Sequence, residues 1–208
     1  INTGAAPTAG RFIYIDGVQV EASAIATPYV ETDGATATRA VSQVKLPVAG
    51  IANSTQMWVA TRHRWAYPNT AQPSAAPRLW SWWDSSTNLI ECTLNGSTIQ
   101  VQQDATGGTG AESKSLGAIT WVAGGTDTVI GFVTASDLGI ARNGASFLTK
   151  GSRVEIPALA ATLMGIGKGG ATDRILCSDF FWWAMGLGTL SNFDSAVIGA
   201  LPNIVRSE

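Results

Sequence analysis

Short runs of alternating apolar, β-branched and aromatic residues recur along this 208-residue chain, each closed by a Gly, Asn, Asp, Ser or Pro cluster. Helical periodicity is almost absent. That spacing specifies an all-β sandwich or barrel, because a period of two lays one face of each strand against a core. Asp16-Gly17 predicts a hairpin between Phe12-Ile13-Tyr14-Ile15 and Val18-Gln19-Val20. Met57 to Trp65 reads as a long strand, followed by a polar loop over 66–77. Residues 79–83, 89–94 and 97–103 read as a three-strand meander, turning at Asp84-Ser85-Ser86-Thr87-Asn88 and Asn95-Gly96. Residues 104–115 are polar and Gly-rich and read as a loop. Strands are expected again over 126–134, 138–142, 145–148, 163–166 and 175–187, with Asn143-Gly144 as a hairpin turn. One helix is expected, from an N-cap at Ser191 to about Leu201, with Asp194 completing a capping box and Pro202 just beyond.

Composition narrows the function classes. Charged residues make up 13% of the chain, about half the usual share, and the net charge is −2. That balance gives no electrostatic footprint for nucleic acid or an anionic membrane. No run approaches the roughly 18 apolar residues that span a bilayer as a helix. An Ile at position 1 leads us to expect a processed or excised start.

Chemistry-bearing residues are sparse. His63 is the single histidine, and Cys92 and Cys177 stand apart from other soft ligands, so no metal site or cofactor is expected. His63 reads as a polar strand residue, and the two cysteines either pair or lie buried as thiols. No G-x-S-x-G elbow supplies a nucleophilic serine. Glu31-Thr32-Asp33 is the nearest approach to the paired carboxylates of a retaining glycosidase, and it lacks a second Glu, so no catalytic residue is expected. Asp84 with Asn88, and Asp104 with Glu112, read as solvated turn acids. Gly107-Gly108 and Gly167-Lys168-Gly169-Gly170 lack phosphate-loop spacing and read as turns.

Eight tryptophans are the informative feature. In Leu79-Trp80-Ser81-Trp82-Trp83, alternation places Trp80 and Trp82 on one face and Ser81 and Trp83 on the other; Trp182 and Trp183 likewise point to opposite faces. Trp65 and Tyr67 lead into the long polar loop, where binding residues concentrate. Arg64, Trp65, Tyr67, Asn69 and Gln72 are therefore the candidate carbohydrate-binding residues, with packing of that loop against a neighbouring subunit as the alternative.

Leu138-Gly139-Ile140-Ala141-Arg142-Asn143-Gly144, Met164-Gly165-Ile166-Gly167, the aromatic strand over 180–185 and the helix over 191–200 occur in an order that resembles the concanavalin A-like, laminin-G-type jelly-roll domains of phage virion and tail proteins. Residues 12–39 resemble a junction in phage structural proteins that closes an upstream sandwich before such a jelly roll. The resemblance implies an all-β jelly-roll sandwich over 39–208 with one short C-terminal helix. It also implies an N-terminal β-hairpin arm and linker over 1–38, without the sandwich that this junction usually closes. The arm, through Phe12, Tyr14, Val18 and Val20, either docks on a neighbouring subunit or folds back on its own jelly roll. The implied function is a non-enzymatic virion structural protein, of tail or capsid decoration, whose lectin-like domain serves assembly and attachment to a host surface or glycan. Other virion subunits would be its partners, in repeated copies, and the particle surface its location. A carbohydrate-binding receptor module of a tail fibre is the alternative, and a glycan hydrolase is the remote one.

Overall fold

The computed structural model describes residues 44–72, 76–85, 87–104, 111–156, 158–167 and 178–202. The chain divides into two units, 1–40 and 41–208, and the architecture below is that of the second. The hairpin arm expected around Phe12, Tyr14, Val18 and Val20, the Glu31-Thr32-Asp33 stretch and Cys177 lie outside the described residues.

Eleven strands form two antiparallel sheets. They are β1 (Val44–Pro47), β2 (Met57–Trp65), β3 (Arg78–Ser85), β4 (Asn88–Asn95), β5 (Thr98–Asp104), β6 (Glu112–Ser115), β7 (Thr126–Val133), β8 (Leu138–Arg142), β9 (Leu148–Thr149), β10 (Leu163–Ile166) and β11 (Ser178–Gly186). One sheet runs β1-β10-β3-β4-β5-β6 and the other β11-β2-β7-β8-β9. The expected strands at 57–65, 138–142 and 163–166 are reproduced to the residue.

Alternation decides what each face does. On β4, Ile90, Cys92 and Leu94 pair with Gln103, Val101 and Ile99 of β5 and face the second sheet, as do Trp80 and Trp82 of β3. The sheets meet where Gly131 of β7 opposes Trp80 and Val101. A Cβ at Gly131 would lie 2.9 Å from the Trp80 ring, so no larger residue fits without moving it. Trp80, Ile90, Leu94, Ile99, Leu138 and Ile140 are fully buried in this core. Cys92 is buried with them, and burial raises its thiol far above the ordinary range, so it packs as a neutral hydrophobe.

Helix α1 (Asn192–Gly199) packs beside β7 and β8 of the second sheet. Ser191 caps it: its hydroxyl accepts from the Asp194 backbone N–H, and the Asp194 carboxylate accepts from the Ser191 N–H at 2.7 Å. Ser195 Oγ donates to Ala145 O at 2.7 Å, and Gly199 lies so close to Gly144 that a Cβ there would strike the turn backbone.

Three local expectations are corrected. Residues 112–115, read as loop, form edge strand β6, whose backbone pairs with β5 from Gln100↔Ser115 to Gln103↔Glu112. Polar side chains are no obstacle at an edge, since the ladder uses main-chain groups. The strand expected over 145–148 shrinks to Leu148–Thr149, because the Ala145 carbonyl and the Phe147 N–H are engaged by Ser195 and Asn192 of the helix. Asp84 and Glu112 are structural clips rather than solvated turn acids. Asp84 accepts from Asn88 Nδ2 and from the backbone N–H groups of Ala160 and Ala161. Glu112 accepts from Lys150 Nζ at 2.7 Å and from the Val154 N–H at 3.0 Å.

Candidate functional site

The Trp65 region is built from the ends of β2, β7 and β8. On β2 the inward parity runs Met57, Val59, Thr61, His63, Trp65, all buried, while Arg64 points outward. Trp65 is 1% and Tyr67 2% exposed. The Trp65 indole stacks on Trp121 at 4.8 Å, meets His63 edge-on at 4.3 Å, and donates from Nε1 to Asp127 Oδ2 at 2.7 Å. The expectation that Trp65 and Tyr67 are carbohydrate-binding residues of the loop is therefore corrected: both are packed in the end of the core. The reason is parity, which sends Trp65 inward with His63. Arg64 is exposed and pairs with Asp179 at 2.5 Å. Asn69 and Gln72 are half-buried and brace the loop, Asn69 Nδ2 on Ile119 O at 3.4 Å and Gln72 Nε2 on Gly96 O. The five candidates share a stretch of chain but not a common ligand-facing surface.

Asp127 organises this end. Besides Trp65, its carboxylate accepts from Arg142 Nη2 at 2.8 Å and Asn143 Nδ2 at 2.7 Å. Burial alone would push the Asp127 carboxyl up. The hydrogen bonds from Arg142, Trp65 and Asn143, with the Arg142 charge, outweigh it and hold the group ionised below its usual range. Asn143 takes φ +51° and Gly144 φ +78° in the β8 hairpin turn, and the Asn143 Oδ1 accepts from the Thr128 N–H at 2.7 Å. A small crevice of about 160 Å³ opens beside this network, walled by Trp65, Thr120, Trp121, Val122, Asp127 and Arg142.

His63 is fully buried next to Asp127, and neither ring nitrogen has a hydrogen-bond partner among the described residues. Burial lowers its imidazole from 6.5 to about 4, against the opposing pull of Asp127. The neutral ring thus contributes stability that is complete above pH 6.5 and lost as pH falls toward 4, because the unfolded chain takes up the proton first. The loss approaches about 3 kcal/mol by the linkage relation. Denaturant midpoints should fall steadily between pH 7 and 4.5 in the native protein, and His63→Phe should flatten that slope. An equal slope in the variant would show that other groups carry it.

A larger crevice, about 520 Å³, lies at the opposite end of β2 and β7. Thr55, Gln56, Thr134, Ser136, Asp137 and Thr189 line it, together with the apolar Phe132 and Leu190. Buried Arg153 fixes its walls from behind, donating to Thr134 O at 2.5 Å and to Ser54 O at 2.7 Å. Asp137 Oδ1 accepts the Gly151 N–H at 2.7 Å, and Thr134 Oγ1 accepts the Asp137 N–H at 2.9 Å, so the β7–β8 turn is braced on both sides. Hydroxyls, an amide and one carboxylate thus converge around an apolar floor. Sequence reading missed it because its residues come from three loops, which no local pattern joins.

A third polar group lies on the outward face of the first sheet. Register aligns Lys45, Gly165, Ser81, Glu91, Gln102 and Ser113 in one cross-strand row. At its centre Glu91 accepts from Ser81 Oγ at 3.1 Å and Gln102 Nε2 at 2.6 Å, and Arg78 Nε lies 2.6 Å from its Oε2. Glu91 and Ser81, with Arg78 and Thr93 beside them, are buried, so the centre of this row is a structural network. No group of three or more potential metal ligands occurs among the described residues.

No family model and no curated protein matches the sequence. Solved structures do match. Domain 4 of AbnA, a GH43 extracellular arabinanase from Geobacillus stearothermophilus, solved with arabinotriose, is 12% identical over 76% of this chain and 72% of that one, at a TM-score of 0.53. The CBM40 of the Ruminococcus gnavus IT-sialidase, bound to α2,3-sialyllactose, is 12% identical over 71% of this chain and 83% of that one, at 0.51. Domains LG4-5 of the mouse laminin α1 chain are 12% identical over 73% of this chain and 40% of that one, at 0.54. At such identities the likeness is one of fold, and it agrees with the architecture above: two antiparallel sheets packed as a jelly-roll β-sandwich, with one short C-terminal helix.

Proposed function

We propose that this chain is a non-catalytic glycan-binding jelly-roll module, with the 520 Å³ crevice at the β7–β8 end as its contact. That crevice carries the reading: its volume falls in the range of small-ligand sites, and it converges hydroxyl, amide and carboxylate groups on an apolar floor. Two of the structurally similar domains were solved with an oligosaccharide bound, which supports the same ligand class. Asp137 is the one carboxylate among the described crevice residues, and glycoside hydrolysis ordinarily uses a pair. This supports binding without turnover. The setting we favour is a phage virion, in which repeated copies of the module attach the particle to a host-surface glycan. That part is supported by the sequence resemblance of residues 12–39 and of the jelly-roll hairpins alone.

The test compares the labelled native chain with Ala135→Trp on a glycan panel and on intact bacterial cells. Ala135 is exposed and lines the crevice, so the indole fills the site without disturbing the core. Saturable binding, weakened at least tenfold in the variant at unchanged melting temperature, is expected. Absence of binding by the folded native chain, or binding indifferent to the substitution, overturns the site. Release of new reducing ends overturns the non-catalytic assignment.

A further inference from the structure

The small crevice at the Trp65 end has properties the larger one lacks. Two of its lining side chains carry buried N–H donors with no acceptor among the described residues: Nε1 of Trp121, which is 3% exposed, and Nε of Arg142. A buried donor left unpaired costs about 1–3 kcal/mol, so such donors normally have an acceptor. The neighbouring Asp127 carboxylate accepts from Trp65 Nε1, Arg142 Nη2 and Asn143 Nδ2, and from neither of these two donors. The space of about 160 Å³ is well beyond what one bridging water occupies.

The charge around it selects among ligands. Arg142 and Asp127 form an ion pair at 2.8 Å, and His63 is neutral near pH 7. Arg142's charge is thus already balanced, and a ligand carboxylate would meet Asp127 with no second cation among the crevice's lining residues to offset the repulsion. The favoured occupant is a neutral group with a strong acceptor and an apolar end. Val122, 60% exposed at the mouth, supplies the apolar contact, while Trp65 and Trp121, stacked and buried, form the wall behind it.

We propose that this crevice is a second saccharide site, recognising a neutral N-acetylated sugar: the acetamido carbonyl accepts from Trp121 Nε1 and Arg142 Nε, and its methyl lies against Val122. The choice of a sugar rests on the glycan reading above, but the site is separate from the larger crevice. The eight-residue rise along β2 between them spans roughly 26 Å.

The experiment follows the indole N–H resonances of the full chain by 1H–15N NMR during titration with N-acetylglucosamine, glucose and glucuronate. Trp121 is assigned by the signal lost in Trp121→Phe. A saturable shift of the Trp121 signal with N-acetylglucosamine is expected, at least tenfold weaker with glucose and with glucuronate. Val122→Trp, a change at an exposed mouth residue, should abolish the response. Trp121→Phe, followed through the remaining indoles, should weaken binding roughly tenfold, as loss of one buried hydrogen bond implies. Ala135→Trp should leave this response intact, which separates failure here from failure of the larger crevice. No saturable shift, a shift that survives Val122→Trp, or tighter binding of glucuronate overturns the proposal.

Discussion

Replacing Glu91 with Ala is expected to lower folding stability by about 3–5 kcal/mol, the usual result of removing one member of a buried ion pair. Both side chains of the Arg78–Glu91 pair are 2% exposed. The substitution leaves a guanidinium out of water with Thr93 Oγ1 and the Ala76 carbonyl as its remaining hydrogen-bond acceptors, neither carrying a charge to balance it. It also strips Ser81 and Gln102 of the acceptor they share. The pair need not be strongly stabilising relative to apolar residues, because desolvation offsets much of its Coulomb attraction. The double variant Arg78→Met, Glu91→Leu should accordingly recover most of the loss, and urea midpoints of the three proteins would show it. A single-variant cost below about 1 kcal/mol would mean that the pair is solvated, as exposed pairs are.

Glu91 also shows what a sequence pattern conveys and what it omits. The run Leu89-Ile90-Glu91-Cys92-Thr93-Leu94 marks a strand plainly, and alternation assigns Ile90, Cys92 and Leu94 to one face. The same alternation sorts Trp80 and Trp82 from Ser81 and Trp83, as the register confirms. Backbone-level features were legible for the same reason. The Asn143-Gly144 turn and the Ser191–Asp194 capping box are local chemistry, fixed by residues a few positions apart. What alternation does not reveal is whether the second face is open, and here Glu91, Thr93 and Leu89 are buried too. An acid inside an apolar run was the available signal of a buried charged network, and Asp127, with the inward parity of Val129, Gly131 and Val133, was another. The crevices were less accessible to sequence reasoning because they are tertiary. Thr55, Ser136 and Leu190 meet only once β2, β7 and β11 are aligned.

Trp65 is where the two readings, core and contact, make opposite demands, and Trp65→Ala separates them. The indole contributes area against Trp121, His63 and Tyr67, and its N–H is one of three donors to Asp127. The strand is also tied at this residue through its backbone, to Gly125 O at 2.9 Å and from the Gly124 N–H at 2.7 Å, so the chain cannot readily collapse into the space left behind. Truncation therefore removes a large transfer contribution, leaves a cavity and deprives Asp127 of a donor, for an expected cost of about 3–5 kcal/mol. In a chain of this size that lowers the melting temperature by roughly 10 °C or more. Trp65→Phe keeps most of the packing and loses the N–H, and should cost about 1–2 kcal/mol. Arg64→Ala, one residue away on the outward face, removes only an exposed pair with Asp179 and should move stability by less than about 1 kcal/mol. Thermal melts of the three variants would show that steep gradient between adjacent residues if Trp65 is core. A Trp65→Ala protein as stable as the native chain would mean that the ring is free for a ligand after all, and would return the contact to the loop that follows β2.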